Sequence, residues 1–251
     1  YDRLVGSEMC IRDSPRGNVA TTFGVDKNAL GPTMNGLFQA VIDGSRIDIN
    51  PFVIPPERLT RWMRKAWKRQ FPNRPRGPPV SHKVDSLSLL PADLDLSGIE
   101  IELAMRIGRE HRLRIALEGA MEQFDLIIID TPASLGLLTV NALTAADWLL
   151  IPIQAEFYAL ESMGQLLDTL RKVQSRVNPS LKLLGISMTM VQTGSNLGKM
   201  VGDSALRHFG ERILRTSIPR SVSIAEAPLS GGPIALTCLL YTSPSPRDGR
   251  I

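Results

Sequence analysis

The sequence is poor in the residues that build thiol and metal chemistry. Its 251 residues include two cysteines and three histidines. His82, His111 and His208 stand apart from one another, without the ligand spacing of a zinc site. Aromatic residues make up 5% of the chain, and no apolar run reaches the ~18 residues of a membrane-spanning helix. No secretory signal pattern opens the sequence, and we therefore expect a cytoplasmic protein.

Both cysteines lie in terminal segments that resemble translated adapter DNA. Leu4 to Asp13 reads LVGSEMCIRD, and Cys238 to Asp248 reads CLLYTSPSPRD. One oligonucleotide and its complement, read one base out of frame, can encode both segments, a relation that two ends of a natural gene have no reason to show. We therefore expect residues 1–14 and 237–251 to be non-native, and residues 15–236 to be a partial domain without cysteine.

Positive charge is concentrated in an insert at about residues 55–83, which prolines bound on both sides. The chain has a formal net charge of +4, whereas the segment from Glu57 to Lys83 alone holds nine Lys/Arg and one acidic residue. Apolar residues recur in it at helical spacing, with basic residues on the remaining face, among them Arg61, Lys65 and Lys68. This pattern predicts a basic amphipathic helix that contacts a nucleic-acid backbone or an anionic membrane surface, or that docks its apolar stripe on the domain and leaves its charges solvated.

Strands and helices alternate regularly from Gln123 onward. The apolar runs predict four strands, at Leu126–Ile129, Trp148–Ile153, Leu183–Val191 and Arg212–Ile218. Helical patterns fill the intervals, at Leu135–Ala146, Leu160–Val177 and Leu197–Phe209. The first strand is an unbroken apolar run, which is typical of a strand buried on both faces. The spacing therefore predicts an α/β fold with a mostly parallel sheet and helices on both faces.

Asp130 ends the first of these strands and is the strongest candidate for a functional residue. Ligands of open α/β sheets bind beyond the carboxyl ends of the strands. A carboxylate fixed there can orient a hydrated Mg²⁺, which prefers oxygen ligands and keeps several of its waters. Taken by itself, an aspartate at the end of a strand also fits a turn or a helix cap.

The residues that follow Asp130 resemble the Walker B region of the ParA/Soj chromosome-partition ATPases. The resemblance is carried by five segments: DTPASLGLLTVNALTAAD (Asp130–Asp147), IPIQAEFYALESMGQLLDTL (Ile151–Leu170), LLPADLDLSGIEIELA (Leu89–Ala104), SIPRSVSIAEAP (Ser217–Pro228) and GNVATTFGVDKNALGPTM (Gly17–Met34). It covers Pro15 to about Leu236 and is interrupted only by the basic insert. It implies the fold of a P-loop NTPase, truncated at both ends.

This resemblance also implies an activity. Members of the family bind ATP and Mg²⁺, form an ATP-sandwiched homodimer and hydrolyse ATP when a centromere-binding, ParB-type partner stimulates them. Asp130 and Thr131 correspond to the Walker B site, where the aspartate holds Mg²⁺ through water. Pro219 and Arg220 fall in the loop that contacts the nucleotide base.

The family also binds DNA without sequence preference, which implies a cytoplasmic, nucleoid-associated protein. The corresponding candidates in the C-terminal half are Arg207, Arg215 and Arg220. Each of these arginines also fits the alternative of a surface charge without a binding role. The membrane-cycling ATPases of the MinD kind are a second resemblance, with the tryptophan-bearing basic helix as the anchor.

The sequence departs from the family pattern in ways that concern activity. It contains no G-x-x-x-x-G-K-[ST] loop, which cradles the phosphates and supplies their lysine. The family motif Asp-Pro-Gln-Gly-Asn aligns with Ser14 to Asn18, and Gly194 stands where the family often has arginine. We therefore expect this chain to bind ATP weakly and to lack ATPase activity. We also expect unpaired strand edges in the sheet where a central strand is missing. A nucleotide-free binding protein is the third alternative.

Overall fold

The computed structural model describes residues 2–7, 22–25, 31–70, 72–73, 86–93, 95–131, 134, 136–155, 157–192, 196–230 and 232–234. The chain divides into two units. The first unit comprises residues 1–15, 35–50 and 94–220, and the second comprises residues 16–34, 51–93 and 221–251. Three features of the sequence analysis lie outside the described residues: the terminal segment 237–251, the motif at Ser14 to Asn18, and Gly194.

The first unit is built on a parallel sheet. Its strands are β1 (Asp2–Ser7), β2 (Leu126–Thr131), β3 (Trp148–Gln154) and β4 (Lys182–Thr189), in the order β2-β1-β3-β4. Every pairing between neighbours is parallel. The predictions of a parallel α/β fold and of strands near 126, 148 and 183 are therefore confirmed.

Two expectations about the edges of this sheet were wrong. Residues 2–7 pair with both β2 and β3, so β1 occupies the position at which we expected unpaired strand edges. Strand β2 lies at the end of the described strand order, and Leu126 and Ile128 are 55% and 67% exposed. The prediction that β2 is buried on both faces failed because a continuous apolar run shows only that a strand is apolar. It does not show the position of the strand in the sheet.

The predicted fourth strand, at Arg212–Ile218, was also wrong. Residues Gly210–Arg212 form a 3₁₀ helix, and only isolated parallel bridges follow, Ile186 to Ile213 and Val191 to Pro219. The backbone N–H of Leu214 donates to Ile186 O (2.8 Å), and that of Ile218 donates to Met188 O (2.8 Å). The two donors, Leu214 and Ile218, are four residues apart, whereas their acceptors in β4, Ile186 and Met188, are two residues apart. This mismatch prevents a continuous ladder of hydrogen bonds.

Helices fill the connections. They are α1 (Met34–Ile42), α2 (Pro56–Gln70), α3 (Leu96–Ala104), α4 (Arg112–Leu117), α5 (Leu137–Ala145), α6 (Phe157–Arg176), α7 (Asn196–Phe209) and α8 (Val222–Glu226). Helix α6 ends just before Asn178 and Pro179, because proline cannot continue a helix. Helix α7 ends before Gly210, whose φ of +55° is the left-handed conformation that glycine adopts at helix ends. Within the described part of the chain, no helix is both long and apolar enough to cross a membrane.

The core of the first unit lies between the sheet and its helices. Leu149, Ile151 and Ile153 alternate along β3 and are at most 5% exposed. Leu143 of α5 and Ile186 of β4 are buried as completely. Burial of such side chains contributes about 1.5–3 kcal/mol each, which fixes the strands whose ends carry the candidate site.

The second unit has a small core of its own, built on the predicted basic helix. Helix α2 begins at Pro56, a residue favoured at the first helical position because its missing N–H costs nothing there. Its apolar stripe is buried: Leu59, Trp62, Met63 and Trp67 are at most 8% exposed. The stripe contributes to one cluster together with Phe23, Val25, Ile54 and Leu89. The interpretation in which this stripe docks on the protein is therefore the one observed.

Candidate functional site

The candidate site lies at the carboxyl edge of the parallel sheet. Asp130 and Thr131 end β2, in register with Gly6 and Ser7 of β1. Gln154 ends β3, opposite Thr189 of β4. Because all four strands run in the same direction, these ends lie along one edge, where ligands of open α/β sheets bind.

Asp130 is held firmly at this edge. Thr131 is 2% exposed, and the Oδ1 atom of Asp130 is buried while the residue as a whole is partly exposed. A carboxylate at the end of a strand is a ligand type that a hydrated Mg²⁺ prefers. No cluster of three His, Cys, Asp or Glu residues that could hold a metal occurs among the described residues. A single carboxylate of this kind fits a hydrated Mg²⁺ that keeps most of its waters better than a metal held by several protein ligands.

Glu100, which we did not predict, fixes the chain that follows Asp130. Its Oε1 atom accepts a hydrogen bond from the backbone N–H of Leu137 (2.5 Å), at the first residue of α5. The hydroxyl of Thr139 donates to Ser134 O (2.6 Å) in the same connection. A carboxylate at a helix N-terminus pairs with the positive end of the helix dipole. The only signal in the sequence was the position of Glu100 inside the segment Leu89–Ala104.

Asn141 anchors α5 from its buried side and was likewise missed. It is fully buried, and its side chain forms three hydrogen bonds. Its Oδ1 atom accepts from the N–H of Leu113 (3.1 Å), and its Nδ2 atom donates to Arg109 O (2.8 Å) and Leu137 O (3.0 Å). A buried amide whose groups are all satisfied gives a rigid, specific contact. Helix α5 is thereby tied to the segment from Arg109 to Leu113.

Pro219 and Arg220 lie at the same carboxyl edge as Asp130 but next to β4, at the opposite end of the strand order. The N–H of Arg220 donates to Val191 O (3.0 Å), and the N–H of Val191 donates to Ile218 O (3.1 Å), just beyond the end of β4. Pro219 forms a parallel bridge with Val191, one strand spacing beyond β4, so four spacings, or about 19 Å, separate these residues from β2. The two predicted groups thus share one edge of the sheet.

The predicted DNA-contacting arginines of the first unit are all exposed. Arg207 lies in the last turn of α7, Arg215 follows the 3₁₀ helix Gly210–Arg212, and the side chain of Arg220 faces solvent. Of the ion pairs formed by described residues, none includes these three arginines.

Arg61, Lys65 and Lys68 lie in the second unit, on the exposed face of α2. The two predicted groups of basic residues are thus carried by different units.

Comparison with known proteins identifies relatives of the chain. A family model described as an AAA domain matches residues 78–183. The sporulation initiation inhibitor protein Soj of Bacillus subtilis is 48% identical over 153 residues, 61% of this chain and 60% of Soj. The chromosome partitioning protein ParA of Caulobacter vibrioides is 42% identical over 159 residues, 62% of this chain and 60% of ParA. The chain therefore spans about 60% of the length of the curated relatives that it matches.

A solved structure supports the fold. Cobyrinic acid a,c-diamide synthase from Mycobacterium smegmatis, with a bound ATP analog and magnesium, is similar to this chain with a TM-score of 0.65 at 28% identity. The similarity covers 92% of this chain and 79% of that chain. The fold class predicted from the alternation of strands and helices is confirmed by this likeness.

Proposed function

Because this chain is homologous to the Soj and ParA chromosome-partitioning proteins, we propose that it is part of a DNA-segregation ATPase. The observation that carries the proposal is the position of Asp130. Its carboxylate ends a parallel strand at the edge where nucleotides bind, inside the segment 78–183 that matches the family model. In the intact protein, Asp130 would hold a hydrated Mg²⁺, with Thr131 beside it at the end of the strand.

ATP is the proposed cofactor, bound along the carboxyl edge. Pro219 and Arg220 would hold its base, and Asp130 would hold the Mg²⁺ that accompanies its phosphates. When bound, the metal would supply charge stabilisation to the phosphate oxygens. The 251 residues contain no G-x-x-x-x-G-K-[ST] loop, whose backbone cradles the phosphates. No hydrolysis step is therefore assigned to residues of this chain.

DNA, a second copy of the chain and a centromere-binding partner are the proposed macromolecular partners. Arg207, Arg215 and Arg220 would contact duplex DNA without sequence preference, since phosphate contacts carry no sequence information. The ATP-bound form dimerises, and a ParB-type protein stimulates hydrolysis. These properties place the intact protein in the cytoplasm, on the nucleoid.

The Asp130 assignment is tested by paired alanine substitutions. In the chain extended by the upstream codons of its own gene, we expect Asp130→Ala to lower ATP hydrolysis at least about tenfold, because the metal loses its orienting carboxylate. Asp125→Ala is the matched control, since Asp125 is an exposed carboxylate that precedes the same strand. Equal rates in the two variants would contradict the assignment.

Weak nucleotide binding by the 251-residue chain is tested separately. Isothermal titration with Mg-ATP should give a Kd above about 1 mM, because most of the phosphate contacts are missing. A micromolar Kd would refute this expectation. If the extended chain also fails to bind Mg-ATP, the alternative of a nucleotide-free binding protein replaces the ATPase.

A further inference from the structure

Helix α2 turns an entire face of positive charge to the solvent. Six basic side chains are exposed between Arg58 and Arg69, and Glu57 is the one acidic residue of this helix. We consider the five cations Arg61, Arg64, Lys65, Lys68 and Arg69 together as the basic face of α2. None of the ion pairs formed by described residues involves a member of this face.

The basic face is costly to the isolated helix. Positions four apart on a helix are neighbours, and three such pairs within this face carry like charges: Arg61 with Lys65, Arg64 with Lys68, and Lys65 with Arg69. Each like-charge pair destabilises a helix by about 0.2–0.5 kcal/mol. On an ordinary solvated helix face, acidic residues alternate with basic ones, whereas the basic face of α2 keeps the repulsion between its cations. A polyanion placed along the face would relieve that repulsion.

The apolar stripe of the same helix is already occupied. Trp62 and Trp67 are 7% and 8% exposed, and Leu59 and Met63 are buried in the core of the second unit. A helix that lies on a membrane inserts its apolar face about 5–10 Å into the headgroup region. Helix α2 could do so only by giving up this core. Its docked form therefore offers charge alone, which favours a phosphate backbone over a bilayer.

The dimensions of the basic face match a nucleic-acid duplex. The basic face, residues 61–69, spans about 12 Å of helix axis at ~1.5 Å per residue. Duplex DNA carries one negative charge per ~1.7 Å of its axis, so this length of duplex carries about seven phosphate charges. Helical spacing distributes the five side chains along the axis, and several can therefore reach separate phosphates at once.

From these observations we propose that α2 carries a duplex DNA-binding surface that acts without nucleotide. It is distinct from the proposed contacts of Arg207, Arg215 and Arg220, which lie in the first unit. The surface binds backbone phosphates irrespective of sequence and adds a constant, salt-sensitive affinity for DNA.

The test uses the full 251-residue chain and a labelled random-sequence duplex of about 24 base pairs, followed by fluorescence anisotropy without nucleotide. Each phosphate contact contributes about 0.9 to the slope of log K against log salt. The triple variant Arg61→Gln, Lys65→Gln, Lys68→Gln should therefore lower that slope by about 3 and weaken binding at least about tenfold at moderate salt. The control variant Arg114→Gln, Lys172→Gln, Arg176→Gln removes the same charge from exposed residues outside both proposed groups of DNA contacts, and should change nucleotide-free binding less than about twofold.

Two further measurements make the result unambiguous. Tryptophan fluorescence reports whether the core around Trp62 and Trp67 stays intact in the triple variant, and Arg61→Lys, Arg64→Lys, Arg69→Lys should retain binding because the charge is kept. Unchanged DNA binding by the folded triple variant would overturn the proposal. So would binding to phosphatidylglycerol vesicles that the duplex fails to displace. Neither outcome depends on ATP hydrolysis, so the proposal stands or falls separately from the proposed function.

Discussion

Replacement of Asn178 should destabilise the first unit more than any nearby polar substitution. Asn178 follows α6, is 3% exposed, and acts as a remote cap for the end of α5. Its Nδ2 atom donates to Leu143 O (2.9 Å) and Ala146 O (2.8 Å), with Thr144 O at 3.3 Å. The last carbonyls of a helix have no partner within it, and here one buried side chain supplies the donors.

The magnitude follows from these contacts. Asn178→Leu keeps the approximate volume but leaves at least two buried carbonyls without their donor, at about 1–3 kcal/mol each. We expect a loss of about 2–4 kcal/mol, which lowers Tm by roughly 4–16 °C in a chain of this size. Ser180→Ala removes only the hydroxyl that donates to Asn178 Oδ1 (2.8 Å), and should cost about 0.5–1.5 kcal/mol.

Asn178→Asp separates hydrogen bonding from volume. The carboxylate is isosteric but faces carbonyl oxygens at the negative end of α5, so the folded state raises its pKa. A carboxyl whose pKa is raised on folding destabilises the protein at every pH above its unfolded pKa, with the full penalty above its folded pKa, so the penalty should shrink as the pH falls between the two. Asn178→Leu has no such group, so its penalty should stay constant with pH.

Urea unfolding followed by circular dichroism measures these differences, with parallel series at neutral and acidic pH. Ser175→Ala provides the exposed control, because that hydroxyl donates only to Lys172 O within its own helix. We expect this control to change the free energy of unfolding by less than about 0.5 kcal/mol. A loss below about 1 kcal/mol for Asn178→Leu, with an unchanged m-value, would refute the capping role.

The remaining predictions concern backbone space, the helix start beside Asp130 and acid stability. Gly185→Ala should cost about 1–3 kcal/mol in urea unfolding, since a Cβ there would lie 2.6 Å from Leu214 Cδ2. Gly202→Ala, in α7 with nothing within 4 Å, should instead gain about 0.5–1 kcal/mol, and equal effects would contradict the steric reason. Glu100→Ala should cost about 1–3 kcal/mol and Glu100→Gln about 0.5–1 kcal/mol, because glutamine keeps the acceptor for Leu137 N–H but loses the charge; equal losses would exclude the dipole contribution. The pKa of Glu110 is lowered, first by a hydrogen bond from its own backbone N–H and then by Arg109, so this carboxylate's contribution is lost as the pH falls through the lowered value. Glu110→Gln should accordingly flatten the decline of stability on the acidic side, and an unchanged acid profile would argue against that contribution.

The sequence by itself determined the class of the fold and the position of Asp130 at a strand end. Apolar runs separated by helical patterns specified parallel strands near 126, 148 and 183, and the run before Asp130 placed its carboxylate at a strand end. Such patterns are local, because each depends on side chains within a few residues of one another. The amphipathic helix α2 could be predicted from the sequence for the same reason.

Only the tertiary structure decided which strand lies at the edge of the sheet, what covers α2 and how the loop after Asp130 is held. Ile128 is exposed although its neighbours in sequence are as apolar as those of a buried strand. Glu100 and Asn141 acquire their roles from partners 37 and 28 residues away, and Asn178 acquires its role from carbonyls more than 30 residues away. Burial and hydrogen bonding between distant segments depend on how elements pack, and a period along the chain carries no record of that packing.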